Sequence, residues 1–187
     1  MRVFTWFGRA NSHSFASHTS MSTTLVTTPS GYIFKDLTAL TSKDRRPAVV
    51  DKVAKLERKV FPSSEGFDYN VELKKKNIGL VLAFTDGGDE NDIVAYLVYQ
   101  RIKRLVWLHK LCVMENARRK GIGRALVHAL QCQMAKGGGE KIHLWVDEHR
   151  EPARALYDSC GFQQIERRPD YYAIGRAGLK LELPIIN

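Results

Sequence analysis

Between Leu105 and Lys136 the sequence switches from one periodicity to another, and few folds accommodate the switch. Leu105–Val113 is an apolar run suited to a buried strand. Residues 122–136 then place Ile122, Ala125, Leu126, Ala129 and Leu130 at i, i+3, i+4, i+7 and i+8, the stripe of a helix with one face on a core. The joint between them is Arg118-Arg119-Lys120-Gly121-Ile122-Gly123-Arg124. A helix opening there bares backbone N–H groups at its N-terminus, where the macrodipole also favours negative charge. Glycine lets a ligand approach the backbone, and Arg118, Arg119, Lys120 and Arg124 add positive charge. Strand, turn and helix together fit a pyrophosphate.

A dinucleotide-binding turn would use similar residues. Its first glycine should follow the strand directly, with a third glycine three residues after the second. Here seven mostly polar residues, Met114–Lys120, separate the apolar run from Gly121, and Leu126 stands at the third-glycine place. The dinucleotide reading is set aside.

The remaining chain alternates strand and helix patterns. Gly31–Leu37 suits a first strand, and residues 44–60 carry Val49, Val53, Leu56 and Val60 on one helical face, with Pro47 in its first turn. Phe61-Pro62-Ser63-Ser64 breaks that helix, and Phe67–Lys76 is expected to make another. Leu80–Thr85 and Ile93–Ile102 are apolar strands around an Asp86-Gly87-Gly88-Asp89 hairpin loop. Gly137-Gly138-Gly139 ends the basic-turn helix and Lys141–Asp147 is a strand. Pro152–Cys160 is a short helix stopped by Gly161, and Phe162–Arg167 and Leu179–Ile186 close the sheet. This order predicts one mixed α/β sheet.

Two features bear on environment. The chain carries 29 basic against 20 acidic side chains, a net charge of +9, which suits an anionic ligand. The phosphate-binding turn and a basic N-terminus can account for the excess, so a nucleic-acid partner is not expected. No apolar run reaches the ~20 residues of a membrane span, so no membrane partner is expected. Cys112, Cys132 and Cys160 form no metal-ligand spacing, and reduced thiols and no metal are expected. Residues 1–30 are Ser-rich and acid-poor, as in a disordered or targeting segment; Met21 is an alternative start. The expected location is cytoplasmic, or plastid or mitochondrial if that segment is a transit peptide.

Arg118-x-x-Gly121-x-Gly123 resembles the acyl-CoA signature of the GNAT superfamily of N-acyltransferases. A second segment, Pro152-Ala153-Arg154-Ala155-Leu156-Tyr157-Asp158-Ser159-Cys160-Gly161-Phe162, resembles that superfamily's Ala-x-x-Leu-Tyr-x-x-x-Gly-Phe element, one strand after the signature helix. The resemblance implies a single GNAT-like domain over residues 31–187, with a mixed, mostly antiparallel sheet of about seven strands flanked by four helices. It implies acetyl-CoA as co-substrate, transfer of the acetyl group to a primary amine, and a monomer or weak dimer. Backbone groups of Leu111 and Val113 would pair with the pantetheine arm, Arg118, Arg119, Lys120, Gly121, Ile122, Gly123 and Arg124 would hold the pyrophosphate, and Tyr157 would protonate the departing thiolate.

Phe61-Pro62-Ser63-Ser64 resembles a substrate loop of protein N-terminal acetyltransferases. Arg168-x-x-Tyr171-Tyr172 resembles the paired tyrosines of those enzymes and of bacterial ribosomal-protein acetyltransferases. Phe61, Pro62, Tyr171 and Tyr172 are therefore candidate acceptor contacts, and a protein N-terminus or lysine is the expected acceptor. The chain departs from these enzymes at Trp107 and Trp145, where several carry ionisable residues, and at Arg150, where an Asn is expected. Leu108-His109-x-Leu111-x-Val113 is similar to small-amine acetyltransferases, which keeps a small amine, or an acyl-CoA-binding module with lost catalysis, as alternatives.

An amine near neutral pH is mostly protonated, so a proton acceptor is needed before attack. Strict alternation would set Trp107, His109 and Leu111 on one strand face with Cys112 on the other, and His143, Trp145 and Asp147 on one face of the neighbouring strand. His109 is the candidate base, with Asp147 or His143 holding a water.

Overall fold

The computed structural model describes residues 29–40, 46–87 and 92–185. The expected N-terminal segment, the start of the 44–60 helix and part of the 86–89 loop lie largely or partly outside them. The strands are β1 (Tyr32–Asp36), β2 (Ile78–Thr85), β3 (Ile93–Ile102), β4 (Leu105–Val113), β5 (Lys141–Asp147), β6 (Gln163–Ala173) and β7 (Arg176–Pro184). The helices are α1 (Arg46–Val60), α2 (Tyr69–Glu72), α3 (Ile122–Lys136) and α4 (Glu151–Ser159). The strands form one seven-stranded sheet in the order β1-β2-β3-β4-β5-β7-β6. All neighbours are antiparallel except β4 and β5, as expected for a mixed, mostly antiparallel sheet.

Helices cover both faces of the sheet. Ile122, Leu126 and Leu130 of α3 join Leu97, Leu108, Leu144 and Tyr157 in one core. Val49 and Val53 of α1 join Leu80, Leu82, Tyr96 and Cys112 in the other. Apolar residues on both faces of β2 and β3 explain why their sequences read as nearly continuous apolar runs. Among the described residues no helix is long and apolar enough to cross a membrane.

Four local expectations need correction. The stripe of α1 is Val49, Val50, Val53 and Glu57, and Val60 is 39% exposed. Glu57 can occupy a core position because its carboxylate accepts from Phe67 N–H at 2.8 Å and from the Tyr69 hydroxyl. The helix expected over Phe67–Lys76 is only Tyr69–Glu72; Asp68 caps it, and the chain turns through the lysine run, with Ile78 N–H on Lys75 O, to enter β2. Strand β6 continues beyond Arg167 to Ala173 and forms a hairpin with β7, whose turn uses Gly175 at φ 76. Asp170 Oδ1 accepts from Gly175 N–H at 2.6 Å and fixes that turn.

The last correction lies on β4. Its register with β3 slips between Val98 and Tyr99, pairing Lys110 with Val98 and Leu108 with Tyr99, so His109 has no partner. The extra residue is a β-bulge, and it inverts alternation beyond it. Leu111 and Val113 therefore pack toward α3, while Cys112 joins Trp107 and Lys110 on the α1–α2 face. Trp107 and Leu111 do not share a face.

Candidate active site

Strands β4 and β5 pair only over Leu105–Trp107 and Lys141–His143. Beyond that they diverge, opening a gap between Leu108–Val113 and Leu144–Asp147. Met114 N–H donates to Val94 O at 2.8 Å, which sets the phase of the β3–β4 ladder. Cys112 and Lys110 therefore direct their backbone groups toward β3, and Leu111 and Val113 direct theirs into the gap. An extended amide-bearing chain could enter there as an added strand.

The gap ends at the basic turn. Arg118 Nε donates to Val113 O at 3.1 Å, fastening the turn to the end of β4. Arg119 and Gly121 are left-handed at φ 60 and 78, and Gly121 is the N-cap of α3. The N–H groups of Ile122, Gly123 and Arg124 have no partner inside the helix. The first turn of α3 contains no acid to compete with an anion. Gly123 serves a different purpose: a Cβ there would lie 3.0 Å from Leu156 Cδ2, so this glycine sets the spacing of α3 and α4. Residues 118–124 thus fit a diphosphate.

Tyr157 stands on α4 with its ring in the α3-side core, edge-on to Phe162 at 5.4 Å. Its hydroxyl makes no hydrogen bond to any described residue. Burial pushes its pKa well above the ordinary phenol value, with a small opposing pull from Arg150. The hydroxyl therefore stays protonated at neutral pH.

The opposite, α1–α2 face is built from long side chains. Lys110 crosses from β4 to the loop after α1, donating to the Glu65 backbone carbonyl, lying 3.7 Å from Glu57 and sitting 4.3 Å over the Phe61 ring. Glu65 also meets Arg176 at 3.3 Å and Arg150 at 3.6 Å. Arg176 is shared with Asp147, Nε to Oδ2 at 2.7 Å, and Asp147 Oδ1 accepts from His149 N–H at 2.9 Å. Burial would raise the Asp147 pKa, but these donors outweigh it and hold the carboxyl below its ordinary value. Asp147, Arg176, Glu65 and Arg150 thereby tie the end of β5, the β6–β7 hairpin, the α1–α2 loop and the start of α4 into one ring.

Aromatic rings complete this face. Tyr171 stacks on Trp145 at 4.2 Å and 16°, and Arg168 covers Trp145 at 5.0 Å. Gly178 makes that stack possible, because a Cβ there would be 2.7 Å from Tyr171 Cδ1. Tyr172 meets Tyr171 edge-on at 4.9 Å and has Arg176 5.5 Å over its ring; burial raises its pKa. Trp107 lies edge-on to His143 at 5.2 Å, and His143 Nε2 is 2.5 Å from Glu182 Oε2. His109 is apart from this group, 6.2 Å from the Phe67 ring and 3.3 Å from Gln100 Oε1. Although His109 is exposed at the surface, desolvation by the atoms packed around it lowers its imidazole pKa below 6.5. Cys112 is buried and its thiol is pushed up to about 11 by that burial, so it holds its proton.

The structure brings Phe61, Tyr172 and Asp147 around one ionic ring and sets Leu111, Val113 and Arg118–Arg124 along one gap and its end. Pro62 is exposed at the start of the short turn Ser63–Glu65. No contact joins His109 to Tyr157 among the described residues. Lys110, Glu57, Glu65, Arg176 and Gly178 were not anticipated. Three of them left a trace in the sequence: a lysine inside an apolar strand, a glutamate in phase with Val49 and Val53, and, more faintly, a glycine within a strand. A cleft of about 570 Å³ lies elsewhere, between α4 and β6–β7, lined by Arg154, Asp158, Phe162 and Leu181 among others, and contains none of the expected site residues.

Residues 48–162 match the model of the acetyltransferase (GNAT) family, more than half the chain, and the protein belongs to that family. It is 31% identical over 84 residues to the [ribosomal protein bS18]-alanine N-acetyltransferase of Haemophilus ducreyi, covering 45% of this chain and 58% of that protein. The Escherichia coli K12 enzyme of the same name is 31% identical over 80 residues, 43% of this chain and 54% of that protein. The match thus spans little more than half the length of these relatives. The crystal structure of the ribosomal-protein-S18-alanine N-acetyltransferase from Escherichia coli superposes with TM-score 0.66 at 20% identity, over 83% of this chain and 95% of that one. NAA60 of Arabidopsis thaliana in complex with acetyl-CoA gives 0.68 at 16% identity, over 82% and 99%. At such identities the structures establish a shared fold.

Proposed function

We propose that the protein is an acetyl-CoA-dependent N-acetyltransferase whose acceptor is a primary amine on a protein, an N-terminal amine above all. The observation that carries this reading is the β4–β5 gap running into the Arg118–Arg124 turn, with Tyr157 on the adjoining helix. Acetyl-CoA supplies an activated acyl thioester. Leu111 and Val113 offer backbone N–H and C=O groups to the pantetheine amides, and residues 118–124 hold the diphosphate with N–H groups and cations. Tyr157 donates its hydroxyl proton to the departing sulfur as the amine nitrogen bonds to the carbonyl carbon and the C–S bond breaks, and the proton the nitrogen sheds on becoming an amide restores the hydroxyl.

The acceptor lies on the α1–α2 face, between Phe61 and Pro62 on one side and Tyr171 and Tyr172 on the other. His109 takes the ammonium proton through water, and its lowered pKa keeps it neutral for that task. Asp147 stays ionised and fixes Arg176 and an adjacent water; its donors leave it a poor proton acceptor. The relatives that act on a ribosomal-protein alanine support an N-terminal amine as acceptor.

The test is turnover with acetyl-CoA across peptides with free N-termini, lysine peptides with blocked N-termini, and small amines. Release of free CoA thiol with N-terminal peptides is expected. Turnover confined to small amines would replace the acceptor assignment, and CoA binding without turnover on any amine would remove the enzymatic reading.

A further inference from the structure

The positive charge expected at the Arg118–Arg124 turn has a second location. Strand β4 begins at Leu105 and ends at Val113, beside that turn. Nine residues at the usual strand rise place its other end about 27 Å away, roughly three Debye lengths at physiological salt. Three segments converge at that far end. Arg101 N–H donates to Asn77 O at 2.7 Å, joining the loop before β2 to the β3–β4 turn. The Arg101 guanidinium donates to Lys103 O at 2.9 Å and to Gly137 O, adding the end of α3.

Lys74, Lys76, Lys103 and Lys136 project from these segments, all exposed, and none forms an ion pair with a described residue. The partners of Arg101 are carbonyls, so its charge is uncancelled. The nearby carboxylates Glu72 and Glu140 are already held by Lys75 at 2.6 Å and Arg104 at 2.8 Å. The acetyl-transfer chemistry uses none of these cations.

The surroundings select among anionic partners. In the β3–β4 turn, Ile102 is the exposed large apolar side chain, at 42%, without the aromatic anchors of a protein hot spot. The adjacent helix α2 has four residues, too short to lay an apolar face on a bilayer. Flexible ammonium groups spread over short loops suit phosphate oxygens repeated along a backbone, a contact that positions without reading sequence. We propose that this end of the molecule binds the phosphate backbone of a nucleic acid, independently of the acetyl-CoA site.

The test uses the full chain, with fluorescence anisotropy of short fluorescein-labelled single-stranded RNA and of DNA of the same sequence, across a salt titration. The comparison protein is Lys74→Glu/Lys76→Glu/Lys103→Asn; asparagine tolerates the left-handed backbone at Lys103, φ 57. Its affinity is expected to fall about tenfold or more at low salt, and the slope of log K against log salt to shrink by about two to three. CoA affinity and peptide acetylation should be unchanged. Stronger binding of RNA than DNA would identify RNA as the source of the phosphates; equal binding would make the contact common to both. Wild-type affinity in the triple variant would overturn the proposal. So would displacement of the nucleic acid by saturating CoA, which would move binding to the Arg118–Arg124 turn, or equal affinity for polyglutamate or phosphatidylserine vesicles.

Discussion

The two faces of the candidate site are made of different materials. On the cofactor side, the gap between β4 and β5 and the turn before α3 present backbone groups, and the conformation that exposes them depends on Gly121 at φ 78. These contacts are local in sequence. On the acceptor side, charged and aromatic side chains from distant segments hold one another in place. Arg176 and Glu65 are 111 residues apart, and Lys110 and Glu65 are 45 apart. A backbone-built site is insensitive to most side-chain changes and fails at its glycines. A side-chain-built site transmits each loss to its neighbours, because a deserted partner stays buried and charged.

Tyr157 stands where the two faces meet, and the largest effect is expected there. Tyr157→Phe keeps the ring against Phe162 and removes the proton. Turnover should fall about 10²–10⁴-fold, with CoA affinity and melting temperature nearly unchanged. Steady-state kinetics beside calorimetry would separate the two. A variant with wild-type kcat would leave Tyr157 as a packed aromatic and confine the chemistry to the acceptor face.

Lys110→Met sharpens the contrast, since it acts through the acceptor face alone. Lys110 and Glu57 have side-chain exposures of 11% and 4%. Breaking buried pairs can cost several kcal/mol, but here the 3.7 Å separation and the two remaining donors to Glu57 limit the loss to about 2 kcal/mol. Chemical denaturation would measure it. KM for the peptide should rise while CoA affinity holds, because the α1–α2 loop loses its tie to β4. An equal loss of CoA affinity would show that the two faces are not separable.

The contrast between faces also explains what could be read in advance. The turn, α3, Tyr157 and most strands announce themselves because periodicity and glycine spacing are local properties. The bulge at His109 is invisible to periodicity: one unpaired residue inverts every later side chain of β4 without changing the pattern of apolar residues. The true stripe of α1 was obscured because Glu57 looks like a surface residue until Tyr69, Phe67 and Lys110 are placed around it. Glu65 and Arg176 meet only after the β6–β7 hairpin folds back toward the α1–α2 loop, which no spacing rule encodes. Gly178 carries a faint signal, a glycine within a strand, but the ring it admits belongs to the neighbouring strand.

The two glycines of the turn offer a subtler separation. Gly121→Ala forces a side chain into the left-handed region, a strain of about 1–2 kcal/mol. The turn can relieve it only by losing the exposed N–H arrangement, so CoA affinity should drop about tenfold with kcat little changed. Gly123→Ala places a methyl against Leu156 and shifts α4, which carries Tyr157. Its loss should appear mainly in kcat. Identical kinetic signatures for the two variants would return both glycines to a single role in phosphate approach.

The smallest effect concerns His109, which lies beside Phe67 and Gln100, apart from the ionic ring of the acceptor face. Desolvation lowers its pKa, Glu72 opposes and Lys110 adds to the shift, so the neutral base persists below pH 6.5. The acid limb of kcat/KM should therefore have its midpoint under that value and be lost in His109→Gln. The same shift sets a stability linkage. Between the folded and unfolded pKa values the unfolded chain binds more protons, so stability falls as pH drops below about 6.5 and rises on return. His109→Gln should reduce that fall by a fraction of a kcal/mol, with His143, whose pKa burial also lowers, retaining its own share. If the limb instead tracks the pKa of the acceptor amine in both proteins, water takes the ammonium proton, and His109 contributes only its place in the bulge.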